Sequence, residues 1–142
     1  MDIKNFIISI LVILALILIF LILIEKKLKQ KLKLQRNSRN LFYKRKIKRL
    51  NRLKLKPQEF LDSINDIARD FFKEAFDLPY NLEYSELVSE FEKRKKEDCV
   101  AFCKLISELN YSGKKIEKNK LITLSKLLEK IIDKNKIDSE NK

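Results

Sequence analysis

The sequence predicts an all-α protein: a single N-terminal transmembrane helix, a basic helical juxtamembrane segment and a small four-helix cytoplasmic bundle. Three observations carry that expectation. Residues 6–24 read FIISILVILALILIFLILI, nineteen residues without a charge. Apolar residues recur at helical spacing from 57 to 134, and no run alternates with period two. Charge is segregated: residues 25–56 hold fifteen Lys or Arg and one acid, whereas residues 57–142 hold sixteen bases and eighteen acids. The net charge of +12 therefore belongs to the stretch after the apolar run, not to the C-terminal domain.

A short start, residues 1–5, precedes the apolar run, and its Asp2 and Lys4 cancel. As a helix the run spans about 28 Å, close to the hydrocarbon thickness of a bilayer. Its only polar residue is Ser9, whose hydroxyl can bond the backbone one turn back. A cleaved signal peptide needs a basic start, a shorter apolar stretch and a small-residue cleavage site; this run ends in Leu-Ile-Leu-Ile before Glu25. A buried core helix needs more surrounding protein than a small domain supplies. A permanent anchor is the reading that remains. Lys26, Lys27, Lys29, Lys31 and Lys33 follow the run and only Lys4 precedes it. Cations beside a span stay on the cytoplasmic side, so the N-terminus is expected outside and the C-terminal domain inside, at the cell membrane.

Residues 25–56 form the basic segment. A coiled-coil seam fails, because heptad steps from Leu28 and Leu32 reach Gln35 and Arg39, then Lys46 and Arg49. Two shorter helical pieces fit, separated by Asn37-Ser38-Arg39-Asn40, whose helix propensity is weak. The second piece places Tyr43, Ile47 and Leu50 on one face. The cations Lys26, Lys27, Lys29, Lys31, Lys33, Arg36, Arg39, Lys44, Arg45, Lys46, Lys48, Arg49 and Arg52 are the candidate contacts to an anionic surface. Adsorption to lipid headgroups is one reading, since each such cation is worth roughly 1 kcal/mol near an anionic membrane. A solvated stalk whose charges only set orientation is the second. Nucleic-acid binding through phosphates, with Phe42 and Tyr43 stacking on bases, is the third. The richness in Ile, Lys, Leu and Asn is that of A+T-rich coding, which discounts lysine number as a signal.

Pro57 disfavours helix at Lys56 and suits a first helical turn, so the bundle is expected to occupy residues 57–134. Its first helix spans 57–76, with Phe60, Ile64, Ile67 and Phe71 as its stripe, widened by Leu61, Ala68, Phe72 and Ala75. Asp62, Asp66, Arg69 and Lys73 fall mainly on the outer side. After a connection at 78–83, a second helix covers 84–94, with Leu87, Val88 and Phe91 inward. The switch from Lys93-Arg94-Lys95-Lys96 to Glu97-Asp98 ends one helix and starts the next without a glycine. The third helix, 97–109, carries Cys99, Phe102, Cys103, Ile106 and Leu109 on one face. The fourth, 117–134, carries Leu121, Leu124, Leu127, Leu128, Ile131 and Ile132. A polar tail at 135–142 is expected to fray. Nine of the thirteen aromatics lie in this domain, which favours a packed bundle over disorder.

Chemistry-bearing patterns are sparse. Without histidine there is no Ser–His–Asp set, and with one glycine there is no phosphate-cradling loop. Cys99 and Cys103 lie one turn apart, but a closed zinc site wants four ligands; they read as small core residues, reduced in a cytoplasmic domain. The sequence therefore predicts no catalytic, cofactor or metal residues and a protein that is not an enzyme. Tyr111-Ser112-Gly113 ends the third helix, Gly113 supplying a positive φ. One reading packs Tyr111 back on the bundle; the other exposes it where a partner docks.

The order of these parts carries a resemblance. Lys56-Pro57-Gln58-Glu59-Phe60 opens a helix and Leu109-Asn110-Tyr111-Ser112-Gly113 closes one, behind a membrane helix and a basic segment. Over about residues 56–113 this resembles the uncharacterised helical domain at the C-terminal end of some prokaryotic transglutaminase-like membrane proteins. It is also similar to small single-span proteins encoded beside MoxR-type ATPases and von Willebrand factor A-domain proteins. In those, a Pro-x-Glu start and an Arg-Tyr-Gly/Ser end recur; here Asn110 stands in the arginine's place. The resemblance implies a cytoplasmic accessory domain and carries over no catalytic residue. The expected function is a non-enzymatic interaction module supporting a membrane complex, with membrane lipid and a protein as partners. The alternative is a membrane-tethered nucleic-acid or anionic-lipid binder acting through residues 26–56. A membrane-active factor of the holin or toxin kind is a third idea, against which the ordered domain argues.

Overall fold

The computed structural model describes residues 2–140. It is all-helical, with no strand among the described residues, and consists of α1 (Ile3–Arg52), α2 (Pro57–Phe76), α3 (Tyr84–Lys93), α4 (Glu97–Tyr111) and α5 (Lys118–Glu140). The chain divides into two compact units, Met1–Asn37 and Ser38–Lys142.

The first unit is the N-terminal part of α1. It contains an 18-residue window of mean hydropathy 3.7, none of it buried, long and apolar enough to cross a membrane. The first turn is set by Asp2, whose carbonyl accepts from the amides of Asn5 and Phe6 at 3.0 and 3.2 Å.

The second unit opens with a correction. The sequence predicts a break at 37–40, yet α1 is one helix through those residues. The reason is tertiary. Asn40, Tyr43, Ile47 and Leu50 are buried on one face of α1, and that burial outweighs a few tenths of a kcal/mol of poor propensity per residue, a term of roughly 0.7 kcal/mol at most. The compact unit thus begins at Ser38 rather than at Pro57, and the expected four-helix bundle gains the C-terminal stretch of α1 as a further packed helix. Tyr43 lies edge-on to Phe71 of α2, with ring centroids 5.4 Å apart. On the α5 side, the Asn40 amide donates to the Ile132 carbonyl at 3.5 Å and Lys44 pairs with Asp133 at 2.7 Å.

α2 starts where Pro57 predicts. The Glu59 carboxylate accepts from the Lys56 amide at 3.3 Å, tying down the helix entry. Its buried face is Leu61, Ile64, Ala68, Phe71 and Phe72, with Phe60 and Ile67 only partly covered. The face is turned because α2 serves three neighbours: Phe71 meets Tyr43 of α1, while Phe72 meets Phe91 of α3 and Phe102 of α4, at 4.9 and 5.9 Å. Asp77 closes α2 in the left-handed region at φ 55°, and buried Leu78 folds the connection inward.

Arg69 corrects a second expectation. It is half-buried, and its guanidinium donates to the carbonyls of Tyr80 and Leu82, the former at 3.0 Å. It also lies over the Tyr84 ring, 4.6 Å from the centroid. It therefore pins the 78–83 connection to α2.

α3 ends without glycine. Lys95 takes φ 58°, the Lys96 amide reaches back to Phe91 O at 2.9 Å, and the Lys95 amide reaches Glu92 O at 3.1 Å. These two bonds are the Schellman pattern. α4 presents Cys99, Phe102, Cys103, Ile106 and Leu109 to the core, as their spacing predicts. α5 contributes Leu121, Leu124, Leu128, Ile131 and Ile132 and packs against α2 and α4. It continues to Glu140, beyond the expected end at 134; of the predicted tail, residues 141 and 142 lie outside the described residues.

Candidate interaction site

The predicted cationic set is split by the fold. Lys26, Lys27, Lys29, Lys31, Lys33 and Arg36 lie exposed on α1 within the first unit, where Lys29 pairs with Glu25 at 3.2 Å. Three others, within the second unit, are turned to structural use. Arg39 donates to the carbonyl of Glu74 at 3.2 Å and to Asn135 Oδ1 at 3.5 Å. Lys44 holds Asp133, and Lys46 sits 4.6 Å from the centroid of the Phe42 ring. The remaining Arg45, Lys48, Arg49 and Arg52 are exposed and follow i, i+3, i+4, i+7 spacing, so they form one stripe. That stripe is opposite the buried Tyr43, Ile47 and Leu50, and exposed Phe42 and Leu53 flank it.

The structure places the Tyr111 side chain outside the core. The ring is 80% exposed at the last residue of α4 rather than packed back on the bundle. Gly113 adopts φ +63°, and the Lys114 amide donates to Ser112 Oγ at 3.4 Å, turning the chain toward α5.

Beside that connection lies a groove that the sequence did not reveal. It is an open trough of about 1440 Å³ between the end of α1, the start of α2 and the first half of α5. Leu53, Leu55, Phe60, Ile116, Leu121 and Ile122 give it an apolar floor and walls. Arg52, Lys54, Lys115, Lys118 and Lys126 ring it, against Glu117 and Glu129. Leu53 and Ile122 stand 54% and 44% exposed, so the apolar surface is open to water. The buried hydroxyl of Ser125 donates to Asn51 Oδ1 at 3.2 Å and is already satisfied. The signal available beforehand was weak: Leu53, Leu55 and Ile116 are apolar residues beside lysines at helix ends, and they come together from segments sixty residues apart.

Interior groups are committed to packing. Burial pushes the thiols of Cys99 and Cys103 up to about 12, and the Tyr84 hydroxyl likewise to about 12. Asp98 is held below the usual carboxylate range by the hydrogen-bonded Lys134 ammonium, 2.7 Å away, against burial that acts the other way. Among the described residues no three His, Cys, Asp or Glu side chains are placed to share a metal ion. No family model, curated protein or solved structure matches this chain.

Proposed function

We propose that the protein is a membrane-anchored, non-enzymatic interaction module whose helical bundle works at the cytoplasmic face in support of a membrane protein complex. The observation that carries this reading is the open apolar groove on the bundle. An apolar strip rimmed by polar and charged residues is a common form of protein interaction site. The tether is supplied by the apolar part of α1, and the cations that follow it favour a cytoplasmic bundle. Protease added to the outside of intact cells is expected to leave the bundle whole and to cut it only after permeabilisation; cleavage from outside overturns the orientation. In-cell crosslinking of the intact chain is expected to join it to a specific protein, and its failure at every surface position overturns the function.

A second reading has an observation of its own. The outward stripe of Arg45, Lys48, Arg49 and Arg52, flanked by Phe42 and Leu53, suits an anionic surface, whether lipid headgroups or nucleic-acid phosphates. Because the opposite face of α1 is core, its test exchanges only those four residues for glutamine. Salt-sensitive retention of nucleic acid or of anionic vesicles that vanishes in the exchanged protein supports this reading; unchanged behaviour removes it.

A further inference from the structure

We infer that the groove between the α1–α2 connection and the first half of α5 receives an acidic amphipathic helix of a partner protein. The inference rests on the interaction-module reading and names the chemistry of its partner. Five cations ring the apolar floor against two carboxylates, and none of the five joins an ion pair among the described residues. Unneutralised cations around an apolar strip complement a ligand with apolar anchors and flanking carboxylates.

Three physical points select a helix. A volume of about 1440 Å³ exceeds the roughly 300–1,000 Å³ of small-molecule pockets, and it is a trough rather than an enclosure. The walls are helix faces and a connection, so no sheet edge is present to pair with an extended peptide, whose backbone groups would lose water without gaining partners. A helix brings its backbone bonds already made and lays anchors at i, i+3 or i+4, and i+7 into such a trough. An acyl chain has no polar face, so its side turned away from the floor would leave methylenes in water here. A helix turns its polar side outward and sets its acids against Lys54, Lys115 and Lys118. The satisfied Ser125 hydroxyl fits the same picture, since the floor asks for apolar contact.

The test places a benzophenone side chain at position 122 in the groove, at position 111 at the end of α4 and at position 11 in the apolar part of α1. The full chain is irradiated in its own membrane, and each adduct is identified by mass spectrometry of the crosslinked segment. Position 122 is expected to capture a protein segment with carboxylates on one helical face and apolar residues on the other. Lys54→Glu with Lys118→Glu, both at exposed sites and checked by an unchanged melting curve, is expected to cut that product about tenfold. A lipid adduct, a peptide of the chain itself, a segment without acids or a product indifferent to charge reversal overturns the inference. Protein adducts at 111 but none at 122 overturn it while leaving the interaction-module reading standing. Protein adducts at 11 alone likewise overturn only the inference, whereas the absence of a protein adduct at every surface position overturns both.

Discussion

Cys99 and Cys103 show what burial does to a reactive side chain. Each sits among core residues of α4, 2% and 0% exposed, and its thiol is pushed up to about 12. The thiolate is the reactive form, so at pH 8 both are expected to resist iodoacetamide in the folded chain and to react on unfolding; labelling without loss of structure would contradict their placement. The same shifts set a pH dependence. Below about pH 8.5 a thiol is protonated in folded and unfolded chains alike. Between there and about pH 12 the unfolded chain releases protons that the folded chain keeps, so unfolding gains as pH rises, by up to about 1.4 kcal/mol per pH unit for each group. Tyr84 adds the same sign above about pH 10. Denaturant midpoints of the detergent-solubilised chain are therefore expected to hold from pH 7 to 8.5 and then fall. Asp98 acts at the opposite end: its folded pKa is lowered, so its contribution is lost as pH falls through the acid range.

At the scale of the helix, termini carry unused stability. Lys95 closes α3 in the left-handed region, where a side chain clashes with its own backbone and glycine does not. Lys95→Gly is expected to raise stability by about 1 kcal/mol, whereas Lys93→Gly, at the last residue of α3, is expected to lower it by a smaller amount. Chemical denaturation of both variants checks the pair, and a destabilised Lys95→Gly would contradict the cap. The sequence shows this terminus only through its charge switch, because nothing in a lysine announces a positive φ. Helices α2 to α5 are legible because each carries an apolar stripe that repeats several times. The Tyr43, Ile47 and Leu50 stripe of α1 is legible too, but its destination is not. Its neighbouring cations suit lipid as well as they suit the rim of a protein core, and only the tertiary fold brings Phe71 and Ile132 to it. The groove is illegible for a related reason: no local period joins Leu53 to Ile122.

For the whole molecule, the decisive boundary is Ser38 and not Pro57. Tyr43, Ile47 and Leu50 are 1%, 0% and 5% exposed, and they belong to the same buried cluster as Phe71 and Ile132. Fully burying side chains of this size is worth about 1.5–3 kcal/mol each, so the three together approach the roughly 5–15 kcal/mol by which a domain is stable at all. Removing them would also strip the cover from Phe71 and leave Asp133 without Lys44. A chain beginning at Ser38 is thus expected to be water-soluble, to unfold cooperatively on heating and to bind little of a hydrophobic dye. A chain beginning at Pro57 keeps four complete helices and every residue of their stripes, yet it is expected to lose the cooperative transition and to bind dye strongly. Circular dichroism melting of the two truncated chains, beside the intact one in detergent, separates the alternatives. Equal cooperativity in both would mean that α1 merely lies against a finished bundle, and the cationic stretch would return to being a stalk. Collapse of the shorter chain alone would mean that the helix carrying the apolar N-terminal run also completes the core.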